Sequence, residues 1–221
     1  VNTGKLTAEE FQRLAPFALR PIPWTEKGFY IEKTDQATKH PYYYAGLYYI
    51  QEPSAMLPAS RLPVQPGDRV LDLCAAPGGK ATELASRLEG QGLLVANDVS
   101  ASRAKALLKN LTMWGCTNFC VTAETPEKLL ARFGCFFDKI LVDAPCSGEG
   151  MFRKDSGLIS GWLERGPKEY AVLQKQILDC ALAMLKPDGM LLYSTCTFAK
   201  EEDEDVIADA LMRHPDLELV Q

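Results

Sequence analysis

The chain has 221 residues, 47% of them hydrophobic and 24% charged, which is enough for one sizeable core or one domain with a small extension. No apolar run approaches the ~20 residues that span a bilayer, and no basic-then-apolar leader is present, so membrane and secreted classes are set aside and a cytoplasmic location is expected. The formal charge of −5 belongs to the tail: residues 200–221 carry eight acids against two bases, leaving +1 for residues 1–199, so charge neither supports nor excludes a nucleic-acid partner.

Val1 is an abrupt beginning, and an excised piece of a longer protein is expected. Seven cysteines, at positions 74, 116, 120, 135, 146, 180 and 196, include no Cys-x-x-Cys pair, and the only histidines are His40 and His214. A disulfide framework and a zinc site are both disfavoured, and reduced thiols with no metal are expected.

In chain order, residues 1–60 form an N-terminal extension, rich in proline and holding most of the tyrosines. Thr7 with Glu10 gives a capping box and predicts a helix, residues 28–32 suit a strand, and residues 52–57 suit another helix. The cluster Tyr42-Tyr43-Tyr44 and Tyr48-Tyr49 fits a small β-rich layer packed on the main domain, the alternative being a base-stacking platform.

Residues 61–221 read as the main domain. Buried strands are predicted at 69–73, 93–96, 119–122, 137–142 and 190–193, and helices at 81–88, 101–112, 127–133, from Pro167 to the turn at 186–189, and 202–212. The longest helix is expected to bury Leu173, Ile177, Ala181, Met184 and Leu185, and residues 217–220 to begin a further strand. Strands alternating with helices predict an α/β, doubly wound parallel sheet. Cys116, Cys120, Cys135 and Cys180 read as small core residues, and Cys74 as a packing residue.

Cys146 and Cys196 each follow a strand, where open α/β sheets place their ligands. The loop Cys74-Ala75-Ala76-Pro77-Gly78-Gly79-Lys80 joins a strand to a helix start. It lacks the Gly-x-Gly-x-x-Gly spacing for a pyrophosphate and the Gly-Lys-Ser/Thr of a P-loop, so its amides suit a carboxylate. Asp98, eighteen residues past Lys80, is placed to hydrogen-bond ribose hydroxyls, and S-adenosyl-L-methionine fits this pair of features.

The blocks 74–80, Asp143-Ala144-Pro145-Cys146-Ser147-Gly148-Glu149-Gly150 and Ser194-Thr195-Cys196-Thr197 stand in this order on one strand plan. With them the chain resembles the Nol/Nop/Sun family of RNA cytosine-5 methyltransferases, over about residues 49–205. The run Glu149-Gly150-Met151-Phe152-Arg153-Lys154-Asp155 is most similar to the bacterial RsmF-type branch, which acts on 16S ribosomal RNA.

The resemblance implies a Rossmann-like class I fold, S-adenosyl-L-methionine as cofactor, and RNA as partner, either 16S rRNA or the small ribosomal subunit. It further implies 5-methylcytosine as product, a monomer, and no membrane. By the same resemblance Cys196 attacks ring carbon 6 and Cys146 assists elimination and product release. Asp143, at the end of a strand, reads from its own position as able to hydrogen-bond the cytosine ring nitrogen or amino group. The cofactor site implied is Cys74, Ala75, Ala76, Pro77, Gly78, Gly79, Lys80, Asp98 and Asp143, with Glu124 near the adenine or, one residue on, Thr125. Lys80 also reads as holding substrate or organising its loop. Arg153, Lys154, Arg165 and Lys168, in the long link 147–168, read as phosphate contacts or a solvated face. Rival readings are a transfer RNA methyltransferase and a non-catalytic RNA- or ribosome-binding factor. The missing glycine pattern disfavours a nicotinamide-dependent oxidoreductase.

Overall fold

The computed structural model describes residues 1–220. Thr7 caps α1 (Ala8–Leu14): the Glu10 N–H donates to Thr7 Oγ1 at 3.1 Å, and the Thr7 N–H to Glu10 Oε2 at 2.7 Å. β1 (Arg20–Pro21) pairs antiparallel with β2 (Phe29–Tyr30) over two residues each. The tyrosine run builds no β layer. Pro41 opens the short α2 (Pro41–Tyr44), where His40 Nδ1 accepts the Tyr42 N–H at 3.2 Å. A proline lacks the N–H that a ladder needs but suits the first helical position, and here that local preference outweighs the β preference of the aromatics. Tyr42, Tyr43 and Tyr48 pack around Phe11 and Ala37 in a small satellite core. The helix expected at 52–57 is a 3₁₀ turn at Ser54–Met56 that runs into α3 (Leu57–Arg61).

The main sheet comprises β3 (Arg69–Asp72), β4 (Leu93–Asn97), β5 (Phe119–Thr122), β6 (Phe137–Asp143) and β7 (Leu185–Ser194), all parallel in the order β5-β4-β3-β6-β7. α4 (Gly79–Leu88), α5 (Ala101–Trp114), α6 (Pro126–Phe133), α7 (Leu158–Met184) and α8 (Glu204–Arg213) complete the α/β alternation. Because side chains alternate along β3, Val70 enters one core with Leu84, Leu88, Leu107 and Leu111, and Leu71 enters the other with Phe137, Ile140 and Ile177. Both faces are thus covered, which is why the strands read as unbroken apolar runs. The order reverses direction at β3, so a crevice opens at the carboxyl ends of β3, β4 and β6.

Four expectations need correction. The turn expected at 186–189 lies within β7 as a bulge: Phe137 pairs with Leu185 and Lys139 with Met190, and Asp188 takes a left-handed φ of 61°. Residues 217–220 form no strand. The buried face of α7 holds the expected Ile177, Ala181 and Met184, but Ala171, Gln174 and Leu178 complete it, while Leu173 is 42% exposed and Leu185 belongs to β7. Cys120 and Cys135 are exposed rather than core; β5, which carries Cys120, is an edge strand.

Pro167 does open a helical run, since α7 is broken at Gly166 (φ 69°, ψ 173°). The residues before that break are helical as well, so the link after β6 carries structure of its own: a 3₁₀ turn at Glu149–Met151 and the first part of α7.

Candidate active site

The register of β6 and β7 sets the site. Asp143 pairs with Ser194, and the Ala144 N–H donates to Ser194 O at 2.8 Å, so both loops leave the sheet at one height. Cys146 and Cys196 follow within three residues of that pair, and their Sγ atoms lie 3.2 Å apart.

Hydrogen bonds lock the two loops together. The Gly150 N–H donates to Cys196 O at 2.9 Å, a closeness that glycine permits because a Cβ would meet that oxygen at 2.7 Å. Ser147 Oγ and Thr197 Oγ1 are 3.0 Å apart. Glu149 Oε2 accepts from Thr197 Oγ1 at 3.2 Å and from the Phe198 N–H at 3.1 Å, while Oε1 accepts Trp162 Nε1–H of α7 at 3.0 Å. Beneath the loops, fully buried Glu202 accepts the Ser147 N–H at 2.9 Å and Gln174 Nε2–H at 2.8 Å, and Gln174 also donates to Pro145 O at 2.9 Å.

Sequence reasoning missed Glu149, Glu202 and Gln174 as scaffold. Glu149 stood inside a quoted motif. Glu202 was hidden in an acidic run taken as a helix start, whereas α8 begins at Glu204. Gln174 was hidden by the misjudged face of α7.

Two adjacent thiols cannot both ionise at ordinary cost, and their surroundings decide the order. The hydrogen-bonding contact with Cys146, in which either sulfur could donate, and the nearby Lys80 hold the Cys196 thiol below its usual range against the opposing effects of burial and Asp143. The Cys146 thiol is pushed up by that same contact with Cys196 and by burial. Lys80 Nζ sits 2.7 Å from Asp143 Oδ2, and Ser194 Oγ–H donates to Asp143 Oδ1 at 2.8 Å, so the carboxylate is fixed at both oxygens. The structure therefore brings Lys80, Asp143, Cys146 and Cys196 together.

The residues expected to hold a cofactor stand at and just after the carboxyl ends of β3, β4, β5 and β6. Asp98, 3% exposed, accepts the Ser100 N–H at 2.9 Å and pairs with Arg103 at 3.3 Å. Arg103 also donates to Ala76 O at 2.8 Å, and Asn110 Nδ2–H to Pro77 O at 2.7 Å, so α5 holds the 74–80 loop. Gly78 has φ 119° and stands against Leu107, whereas a Cβ on Gly79 would lie 2.4 Å from Gln51 Oε1 and 2.9 Å from Tyr49. The lack of a side chain at Gly79 lets Tyr49 and Gln51 pack against the start of α4. Cys74 packs against the second core, and burial lifts its thiol to about 12.

Glu124 follows β5, and its side chain pairs with Lys128 at 2.9 Å. Thr125 is the exposed N-cap residue of α6. Both are placed by buried Asn97, another residue that pattern reading did not single out. Asn97 Nδ2 donates to Leu73 O and Glu124 O, and Oδ1 accepts Thr122 Oγ1–H and the Glu124 N–H.

Asp72, at the end of β3, is fully buried, and neither carboxyl oxygen has a hydrogen-bond partner. Burial first, then the nearby Asp143, pushes it up to about 8. A cationic ligand group nearby would offset that cost. With the N-terminus of α4 for a carboxylate and Asp98 for hydroxyls, the donor set fits an amino-acid-bearing nucleoside such as S-adenosyl-L-methionine.

Cys146→Ala removes the thiol that shares its proton with Cys196. The pH midpoint of Cys196 alkylation, followed by peptide mass spectrometry, is expected to rise; an unchanged midpoint would show that this contact does not tune Cys196. At Asp72, the folded state keeps a proton that the unfolded chain, with its ordinary value of 3.8, releases. Stability therefore falls as pH rises between those values, and Asp72→Asn is expected to gain more in Tm over the parent at pH 8 than at pH 5. Equal gains at both values would refute the raised pKa.

The family described as 16S rRNA methyltransferase RsmB/F matches residues 59–221, and the N-terminal domain of 16S rRNA methyltransferase RsmF matches residues 1–53. Ribosomal RNA small subunit methyltransferase F of Escherichia coli (strain SMS-3-5 / SECEC) is 40% identical over 98% of this chain and 47% of its own length. The chain thus spans about half the length of the curated relatives it matches. A methyltransferase homolog from Pyrococcus horikoshii has a similar structure, with TM-score 0.80, 35% identity, and coverage of 96% of this chain and 68% of that one. NSun6 from Pyrococcus horikoshii, solved with SFG, gives TM-score 0.72 at 30% identity over 84% of this chain and 49% of that one. On sequence and structure together, the chain belongs to the RsmB/F family of 16S rRNA methyltransferases.

Proposed function

We propose that this chain carries the catalytic domain of an S-adenosyl-L-methionine-dependent RNA cytosine-5 methyltransferase acting on 16S rRNA, with residues 61–221 as the methyltransferase domain and 1–60 as an extension packed on it. The observation that carries the reading is the Cys146–Cys196 contact of 3.2 Å beside the Lys80–Asp143 pair, at the edge of a crevice whose donors suit the cofactor.

Carbon 5 of cytosine is a poor nucleophile until a thiolate adds at carbon 6. The Cys196 thiolate makes that bond, which places electron density on the ring and activates carbon 5. Asp143 accepts from the exocyclic amino group and orients the base, and the Lys80 ammonium neutralises the charge that develops on the ring. Asp72, Asp98 and the N-terminus of α4 would hold S-adenosyl-L-methionine, which would supply an electrophilic methyl group for carbon 5. Water takes the carbon 5 proton, the freed pair forms the carbon 5–carbon 6 double bond, and Cys196 leaves carbon 6 as a thiolate that the Cys146 thiol, in contact with that sulfur, stabilises. A stacked base hides carbon 6, so the cytosine must be turned out of its helix to react.

The test uses the full-length protein with labelled cofactor and three substrates: 16S rRNA, small subunits and transfer RNA. Label in cytosine of either ribosomal substrate is expected, with none in the Cys196→Ala variant and a protein–RNA adduct on denaturing gels for Cys146→Ala. An adduct from Cys196→Ala instead would exchange the two roles, and label in transfer RNA alone would refute the substrate. Arg153→Glu with Lys154→Glu is expected to weaken RNA binding and lower the salt dependence by about one ion per lost phosphate contact; unchanged binding would make this a solvated face.

A further inference from the structure

Phe198 is the most exposed large hydrophobic side chain among the described residues, at 82%, and it stands two residues beyond Cys196. It is not on a loose loop. Its neighbours Thr197 and Ala199 are buried at 7% and 9%, its own N–H is held by Glu149 at 3.1 Å, and its Cζ lies 3.5 Å from where a Cβ on Gly150 would stand. The backbone on both sides is anchored, so the ring is presented to solvent rather than left behind by disorder. Exposing such a ring forgoes the stabilisation of burying it, which points to a partner that covers it.

The chemistry of the reaction selects that partner. Cys196 adds to carbon 6 from one face of the target cytosine, and the methyl group arrives at carbon 5 from the other. Neither face over the reacting bond is free for a stacked ring. Phe198 nonetheless stands at the mouth of the site that would take the RNA, two residues from Cys196 and against Gly150, whose turn leads to Arg153. Lys154 is paired with Glu52 at 3.0 Å, and the acids 201–205 follow on the other side. We propose that Phe198 forms a stacking subsite for the nucleobase next to the extruded cytosine, holding the flanking RNA while the target lies between Cys196 and the cofactor crevice. This rests on the RNA methyltransferase reading above.

The experiment uses the full-length protein and RNA carrying 2-aminopurine on either side of the mapped target cytosine. One flanking position is expected to show quenched fluorescence on binding that Phe198→Ala relieves and Phe198→Trp preserves. Stacking on one base is worth about 1–3 kcal/mol, so Phe198→Ala is expected to weaken binding and raise KM by about 5- to 150-fold. Cys196 alkylation is expected to stay at its parent rate, which separates a lost subsite from a disturbed thiol.

Equal fluorescence and equal KM in parent and Phe198→Ala, with methyl transfer intact, would overturn the subsite and leave the enzyme reading standing. RNA bound and quenched with no transfer would overturn the enzyme reading and leave the subsite supported. A ring protected from oxidative footprinting in the free full-length protein would show that the chain itself covers Phe198, and would also overturn the subsite.

Discussion

Asp143 stands opposite Ser194 across β6 and β7, and a slip of one residue in that register would turn every side chain after it to the other face of the sheet. The two reactive loops begin at that pair, so the sulfur–sulfur distance is a property of the sheet before it is a property of the loops. Ser194 also donates to Asp143, which makes the register and the orientation of the carboxylate one interaction. The bulge at 186–189 lies upstream of this ladder, where it alters the entry of β7 without disturbing its carboxyl end.

Below the loops sits a polar scaffold of an unusual kind for a protein interior. Glu202 and Gln174 are both fully buried, and each keeps one oxygen without a partner, as does Asp72 with two. Buried polar atoms left unpaired cost about 1–3 kcal/mol each, so this corner is not arranged for stability. What it achieves is position. Ser147 and Pro145 are held from beneath by Glu202 and Gln174, while Glu149 spans the second cysteine loop and α7 from above.

The positions of the strands and helices were legible in the sequence because they depend on short-range signals, apolar runs and caps. The grouping of Cys146, Cys196, Lys80 and Asp143 came instead from the family resemblance of motifs at strand ends. Misreadings came where two local signals competed or where burial had to be known. Pro41 overrode the strand preference of the tyrosines. Leu173 was assigned to the core by its type, yet Gln174 occupies it, because the loop carbonyl of Pro145 and the carboxylate of Glu202 wait there for an amide. Cys120 and Cys135 are exposed for a similar reason: a sheet edge and a helix-to-strand turn are defined by what does not pack on them. No pattern in the chain announces a contact such as Glu149 with Phe198 across forty-nine residues.

Asn97 has two amide hydrogens and two carbonyl lone pairs, and the fold uses all four, on Leu73, Thr122 and Glu124. Aspartate would keep the acceptors and lose both donors, while glutamine would carry the amide one methylene too far. The ends of three strands are therefore joined at a position closed to gradual change. A lineage exploring new cofactors in this fold could reshape the walls of the crevice residue by residue, but would have to keep this keystone or replace three loops together.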